Sequence, residues 1–178
     1  MNEMKQTEVV KILRKEYEPW IKSLNEEEVR AIRKYSYNSM DTKPGRFFER
    51  LNAMLRGNYN KDDSEMLAKY ASIISGALHK HILQHDIVCY RGMEVDPTMG
   101  IIEGTLFDFE QFTSTSVIRS KALNRNYMYI IHVPVGACGA YIEGISAFPK
   151  QREFLLDLSC KYRLIKRTGN TVEMEVVL

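Results

Sequence analysis

The chain has 178 residues, 44% of them hydrophobic and 27% charged, and a formal net charge of +2. That length suits one domain with a sizeable core, and the composition is that of an ordinary globular protein. Charge so near balance argues against an extended nucleic-acid footprint, and no run reaches the roughly 20 apolar residues needed to span a bilayer.

Helical spacing of apolar residues dominates up to about residue 85. Val9, Val10, Ile12, Leu13 and Tyr17 predict a first helix ending at Pro19. The stretch Ser23-Leu24-Asn25-Glu26-Glu27 has the chemistry of a capped helix start, predicting a second helix to about Tyr37. "SMDTKPGR", residues 39–46, is loop chemistry. A third helix is expected from about Phe47 to Arg56, stopped by Gly57. The fourth is expected from about Asp63 to His85, with Met66, Leu67, Tyr70, Ile73, Ile74, Ala77, Leu78 and Leu83 on one side.

From residue 86 the period becomes two. "IVCYRG", "GTLFDFEQFTSTS", "YMYIIHVPV", "GAYI", "REFLLDL", "KYRLIKR" and "TVEMEVVL" are short β-branched or aromatic runs separated by Gly, Pro, Asn or Ser. The turn at Thr168-Gly169-Asn170-Thr171 predicts a hairpin between the last two. A helical part over 1–85 and a β-rich part over 86–178 predict a single α+β domain. The N-terminal "MNEMKQTEVVKILRKEYEPW" has no apolar leader core and no small-residue cleavage site. Two readings stay open, a protein that remains where it is made and one whose leader is not in this chain.

Several common chemistries have no support. Cys89, Cys138 and Cys160 are widely spaced and lie beside apolar or aromatic neighbours, which reads as three small buried thiols. His81 and His85 would share a helix face, but Ile82 follows His81, so the zinc-protease pattern is absent and solvated histidines are expected. His132 lies inside a predicted strand with no ligand partner in sequence. There is no GxSxG, GxGxxG or phosphate loop.

Four features are more informative. Arg91 ends an apolar strand in "CYRG" and offers a planar fork for phosphate or carboxylate. "FTSTS" places Ser114 and Ser116 on one strand face and Thr115 on the other. Asn52 and Arg56 in "LNAMLRG" are four apart on one helix face. In "KQREFLLD", strand alternation would put Gln151 and Glu153 on one face and Arg152 on the opposite one.

In this order, Tyr90-Arg91-Gly92, Phe112-x-Ser114-Thr115-Ser116 and Gln151-x-Glu153 resemble the arginine–serine–glutamate class of mono-ADP-ribosyltransferase toxins. The resemblance runs from about Trp20 to the C-terminus and includes "AYIEGISAFPKQREFLLD", which is similar to the loop and strand that close the site in that class. Arginine- and actin-modifying members carry Glu at the position of Gln151. The C3-like exoenzymes, which modify an asparagine of Rho-type GTPases, carry Gln, and the C-terminal part looks most like theirs. Two departures stand out: a short connection from Arg91 to Ser114, and "SMDTKPGRFFE", which looks inserted.

The resemblance implies N-terminal helices packed on a two-sheet β-sandwich. It implies NAD+ as co-substrate and no metal. Arg91, Gly92, Arg56, Asn52, Arg125 and Ser114 would bind NAD, with the arginines neutralising its phosphates. Glu153 would stabilise the positive charge that develops on the ribose, and Ser114 would hydrogen-bond and hold Glu153. Gln151, as an amide, suits an amide acceptor, and Phe148, exposed on the preceding loop, would anchor the partner GTPase. A monomeric secreted bacterial toxin acting in a host cytosol is implied, with a cytoplasmic protein as the alternative. The competing functions are an arginine-modifying enzyme of the same class and an NAD-binding module without catalysis.

Overall fold

The computed structural model describes residues 6–37 and 45–178. Residues 39–44, most of the expected loop and the first part of the apparent insertion, lie outside the described residues. The α+β class is as expected: among the described residues, four α-helices precede eight strands.

Helix α1 spans Gln6–Ser23 and continues through Pro19, where the sequence predicts its end. Losing one N–H and straining one turn costs about 3 kcal/mol. The turn is held because Trp20 is buried and its indole N–H donates to the Ala77 carbonyl at 2.9 Å. Burying a Trp removes roughly 150–250 Å² from water, enough to outweigh the proline. Helix α2, Glu26–Ser36, starts at Asn25, whose side chain accepts from the Glu28 N–H while Glu28 accepts from the Asn25 N–H. Helix α3 is Phe47–Leu55. Buried Arg50 on it reaches Asp63 at 2.5 Å, which ties α3 to the start of α4.

Helix α4 is Ser64–Leu78 and ends seven residues before the predicted His85. After Leu78 the chain turns into strand-like pairing: Ile82 bridges Cys138, and Leu83 exchanges backbone hydrogen bonds with Gly136 and Ala137. Leu83 is buried either way, so its hydrophobicity could not separate the two courses. His81 and His85 are therefore not on a helix face. Both hold Glu16, at 2.9 and 2.7 Å; His85 is solvent-exposed as expected, whereas His81 is half-buried.

The strands are β1 Ile87–Met93, β2 Leu106–Phe107, β3 Thr113–Ser116, β4 Tyr127–Val133, β5 Gly139–Tyr141, β6 Glu153–Leu156, β7 Lys161–Thr168 and β8 Thr171–Val177. The run "GTLFDFEQFTSTS" is thus two short strands, not one. The ladder is continuous in the order β2-β7-β8-β4-β1-β3-β6-β5. Its two parts meet through one register pair, Tyr90 with Ser116, so the expected two-sheet arrangement takes the form of one sheet with a narrow splice. β4 and β8 are parallel and the other pairs antiparallel, and the β7–β8 hairpin closes at Thr168 and Thr171 as predicted.

All four residues of β6 are buried, so both of its faces are covered. Tyr17 of α1 packs edge-on against Phe154 and donates to the Gly139 carbonyl at 3.0 Å. A Cβ on Gly139 would lie 2.7 Å from the Leu155 carbonyl oxygen, which only glycine avoids.

Candidate active site

The splice between β1 and β3 opens into a cleft. Asn52, Arg91, Gly92, Ser114, Gln151 and Glu153 all line it. They come from α3, β1, β3 and the entry to β6. An adjoining cleft is lined by Arg56 and shares Phe48, Asn52 and Arg91 with the first.

Glu153 begins β6 opposite Ser116, and Ser114 lies opposite Leu155. Ser114 and Glu153 are therefore diagonal neighbours on one sheet face, a separation that a Glu side chain can bridge. The Ser114 hydroxyl donates to Glu153 Oε1 at 2.5 Å. Burial pushes the Glu153 carboxyl up to about 7, while the Ser114 hydrogen bond and the Arg91 charge oppose that rise. The carboxyl is therefore poised to titrate near neutral pH.

Arg91 donates to the Ser114 carbonyl at 2.5 Å, fixing β3 against β1. Gly92 matters through close approach: a Cβ there would sit 1.8 Å from the Leu123 carbonyl oxygen. That contact brings Lys121, Ala122 and Leu123 over the cleft. The other two residues of the Ser-Thr-Ser run hold backbone. Thr115 donates to the Phe154 carbonyl at 2.6 Å, and Ser116 donates to the Gln151 carbonyl at 2.7 Å.

Gln151 does not precede Glu153 on a strand. It ends a short 3₁₀ turn, Pro149–Gln151, and Arg152 follows in the left-handed conformation at φ 53°. Strand alternation therefore gives the wrong reason for the pairing; the left-handed residue brings Gln151 and Glu153 to the same cleft. Arg152 points instead to Glu143, which also accepts from Arg14 at 2.8 Å.

Arg125 lines neither of the two clefts and pairs with Glu94 at 3.5 Å on the surface. Arg56 donates to Gln111 at the rim of the second cleft. Phe148 is half-buried, its ring stacked on Tyr37 at 6.1 Å, so the exposed member of the pair is Tyr37. Sequence reasoning passed over Tyr35 and Lys121, which also line the first cleft. Tyr35 accepts from the Asn52 amide at 2.9 Å, leaving Asn52 Oδ1 buried without a partner in the cleft wall. In sequence Tyr35 is one more apolar position of α2, and Lys121 carries no signal.

A protein-family model described as ADP-ribosyltransferase exoenzyme matches residues 13–176. The chain belongs to that family. This exoenzyme chain is 27% identical over 175 residues to the NAD(+)--arginine ADP-ribosyltransferase EFV of Enterococcus faecalis, covering 93% of the chain. It spans about a third, 34%, of that relative's length. Among solved structures, Plx2a, an ADP-ribosyltransferase toxin from Paenibacillus larvae, superposes with a TM-score of 0.78 at 25% identity, over 99% of this chain and 98% of that one. C3stau2 from S. aureus, solved with NAD, has a TM-score of 0.75 at 16% identity, over 97% and 94% of the two chains. It shares the exoenzyme fold.

Proposed function

We propose that the chain is an NAD+-dependent mono-ADP-ribosyltransferase that moves ADP-ribose from NAD+ to a protein side chain. The observation that carries this is the hydrogen-bonded pair of Ser114 and buried Glu153 in a cleft that Arg91 and Asn52 also line. Two adjoining clefts that share Arg91 suit a ligand longer than a mononucleotide, with the guanidinium beside its phosphates. Asn52 Oδ1 is an acceptor in want of a donor, which ribose hydroxyls supply.

In this reading Glu153, ionised and oriented by Ser114, accepts from a ribose hydroxyl and stabilises the oxocarbenium-like charge as the glycosidic bond breaks. The bonding pair leaves with nicotinamide, which becomes neutral. An acceptor nitrogen then bonds to the anomeric carbon and gives up a proton. Water in place of the acceptor yields NAD+ hydrolysis as a side reaction.

The acceptor is read from Gln151. A side-chain amide both donates to and accepts from another amide, which fits an asparagine of a Rho-type GTPase docked beside the Phe148 loop. That reading makes the protein a C3-like toxin working in a host cytosol. One observation favours a second acceptor: the Enterococcus relative is named an arginine transferase. Labelled NAD+ incubated with a Rho-type GTPase, actin and polyarginine separates the two. Label on the GTPase alone, lost in Gln151→Ala with NAD+ hydrolysis retained, supports asparagine. Label on actin or polyarginine from the unaltered protein overturns asparagine, and no turnover of NAD+ at all overturns the enzyme.

A further inference from the structure

Beyond the end of β6 opposite to Glu153, three chain segments bring chemically different donors together. A ring nitrogen of His79, the Sγ of Cys138 and a carboxylate oxygen of Asp157 all lie within 4.8 Å of one another. His79 is at the end of α4, Cys138 just before β5 and Asp157 just after β6.

Two of the donors, His79 and Asp157, are held as a ligand is held. His79 Nδ1 lies 2.8 Å from the Ser75 carbonyl, so it carries the proton and Nε2 keeps its lone pair. Asp157 is 1% exposed; its Oδ2 accepts from the Ser159 N–H at 3.0 Å and the Ser159 hydroxyl at 2.6 Å. Its Oδ1 is buried with no hydrogen-bond partner. An orphaned carboxylate oxygen is costly and asks for a cation or a donor. The Cys138 carbonyl accepts from the Asp157 N–H at 3.2 Å and from Cys160 Sγ at 3.3 Å, which locks the two strand ends together.

From this we infer that His79, Cys138 and Asp157 form a binding site for a divalent transition metal of the zinc class. One nitrogen, one thiolate and one carboxylate match that ion's preferences, and the thiolate and carboxylate charges balance a 2+ ion in a partly buried site. Bond lengths of about 2.0–2.3 Å place tetrahedral ligands about 3.5 Å apart. Closing from the upper bound of 4.8 Å takes about 1 Å, and His79 is solvent-exposed at a helix end where such movement is easy. On binding, Cys138 releases its thiol proton to solvent, and water completes the fourth position at the exposed edge. The ion would staple α4 to β5 and β6, the strand that begins with Glu153. This departs from the expectation of no metal, because residues at 79, 138 and 157 have no ligand spacing in sequence.

Cobalt(II) is the probe. The full chain should bind one equivalent, with tetrahedral d–d bands and a thiolate-to-cobalt charge-transfer band, and zinc should displace it. Cys138→Ser should remove the charge-transfer band. His79→Gln changes an exposed side chain and should fold normally, yet weaken cobalt binding by at least ~10-fold. Glu16→Gln, which disrupts the His81–Glu16–His85 group, should leave cobalt binding unchanged. Absence of stoichiometric binding at micromolar cobalt would overturn the inference. So would a charge-transfer band that survives Cys138→Ser, affinity unaltered in His79→Gln, or binding lost in Glu16→Gln.

Discussion

Replacing Glu153 with Gln should leave the protein nearly inactive and, near neutral pH and above, more stable. The carboxyl is 4% exposed, and burial raises it from 4.5 to about 7 even against Ser114 and Arg91. At 1.36 kcal/mol per unit, that rise corresponds to about 3 kcal/mol of stability lost when the group ionises. The pH window follows from the two values. Below pH 4.5 the carboxyl is protonated in both the folded and unfolded chain and costs nothing. Between 4.5 and 7 the unfolded chain has released a proton that the folded chain keeps, so stability falls as pH rises. Above 7 the full penalty is present. Gln cannot ionise but still accepts from Ser114, so it escapes the penalty and keeps the hydrogen bond. Denaturant unfolding of both proteins from pH 5 to 8 should show the variant's advantage growing to about 3 kcal/mol. Transfer and NAD+ hydrolysis should fall by about 10²- to 10⁴-fold in the same variant. A stability gap that stays flat with pH, or a variant less stable at pH 8, would show that Glu153 is ionised and well paired, refuting the argument from burial.

Ser114→Ala removes the donor that holds the Glu153 carboxylate. The acid limb of the pH–rate profile should move to higher pH, and kcat at pH 7 should drop about 10- to 100-fold, the worth of a hydrogen bond to a charged group. Gly92→Ala puts a methyl group into the Leu123 carbonyl. The segment over the cleft must shift, so KM for NAD+ should rise about tenfold while thermal unfolding shows a loss of about 1–3 kcal/mol. Arg50→Met breaks the buried pair with Asp63 and should cost about 3–5 kcal/mol in chemical denaturation. Unchanged stability there would mean that the pair does not anchor α3.

Much of the fold was legible because periodicity is a local property. The switch to alternation near residue 86 marks where β1 begins at Ile87, and the Asn25 cap and the Thr168–Thr171 turn each act over a few residues. Local rules failed where a distant partner decided the outcome. Pro19 stays inside α1 because Trp20 finds Ala77, and α4 stops early because residues 82 and 83 pair with the chain around 136–138.

The sequence by itself determined the α+β class and the residue types of the cleft, since Arg91, Ser114, Gln151 and Glu153 stand in motifs a few residues long. Tertiary structure decided how those motifs meet. Gln151 reaches the cleft through a left-handed turn at Arg152, Arg125 is drawn off to Glu94, and Tyr35 and Lys121 enter from helix and loop. The His79–Cys138–Asp157 cluster belongs wholly to that second category. The reason is range: propensity and alternation act between near neighbours in sequence, whereas desolvation, diagonal strand contacts and close backbone approach exist only once distant segments are packed together.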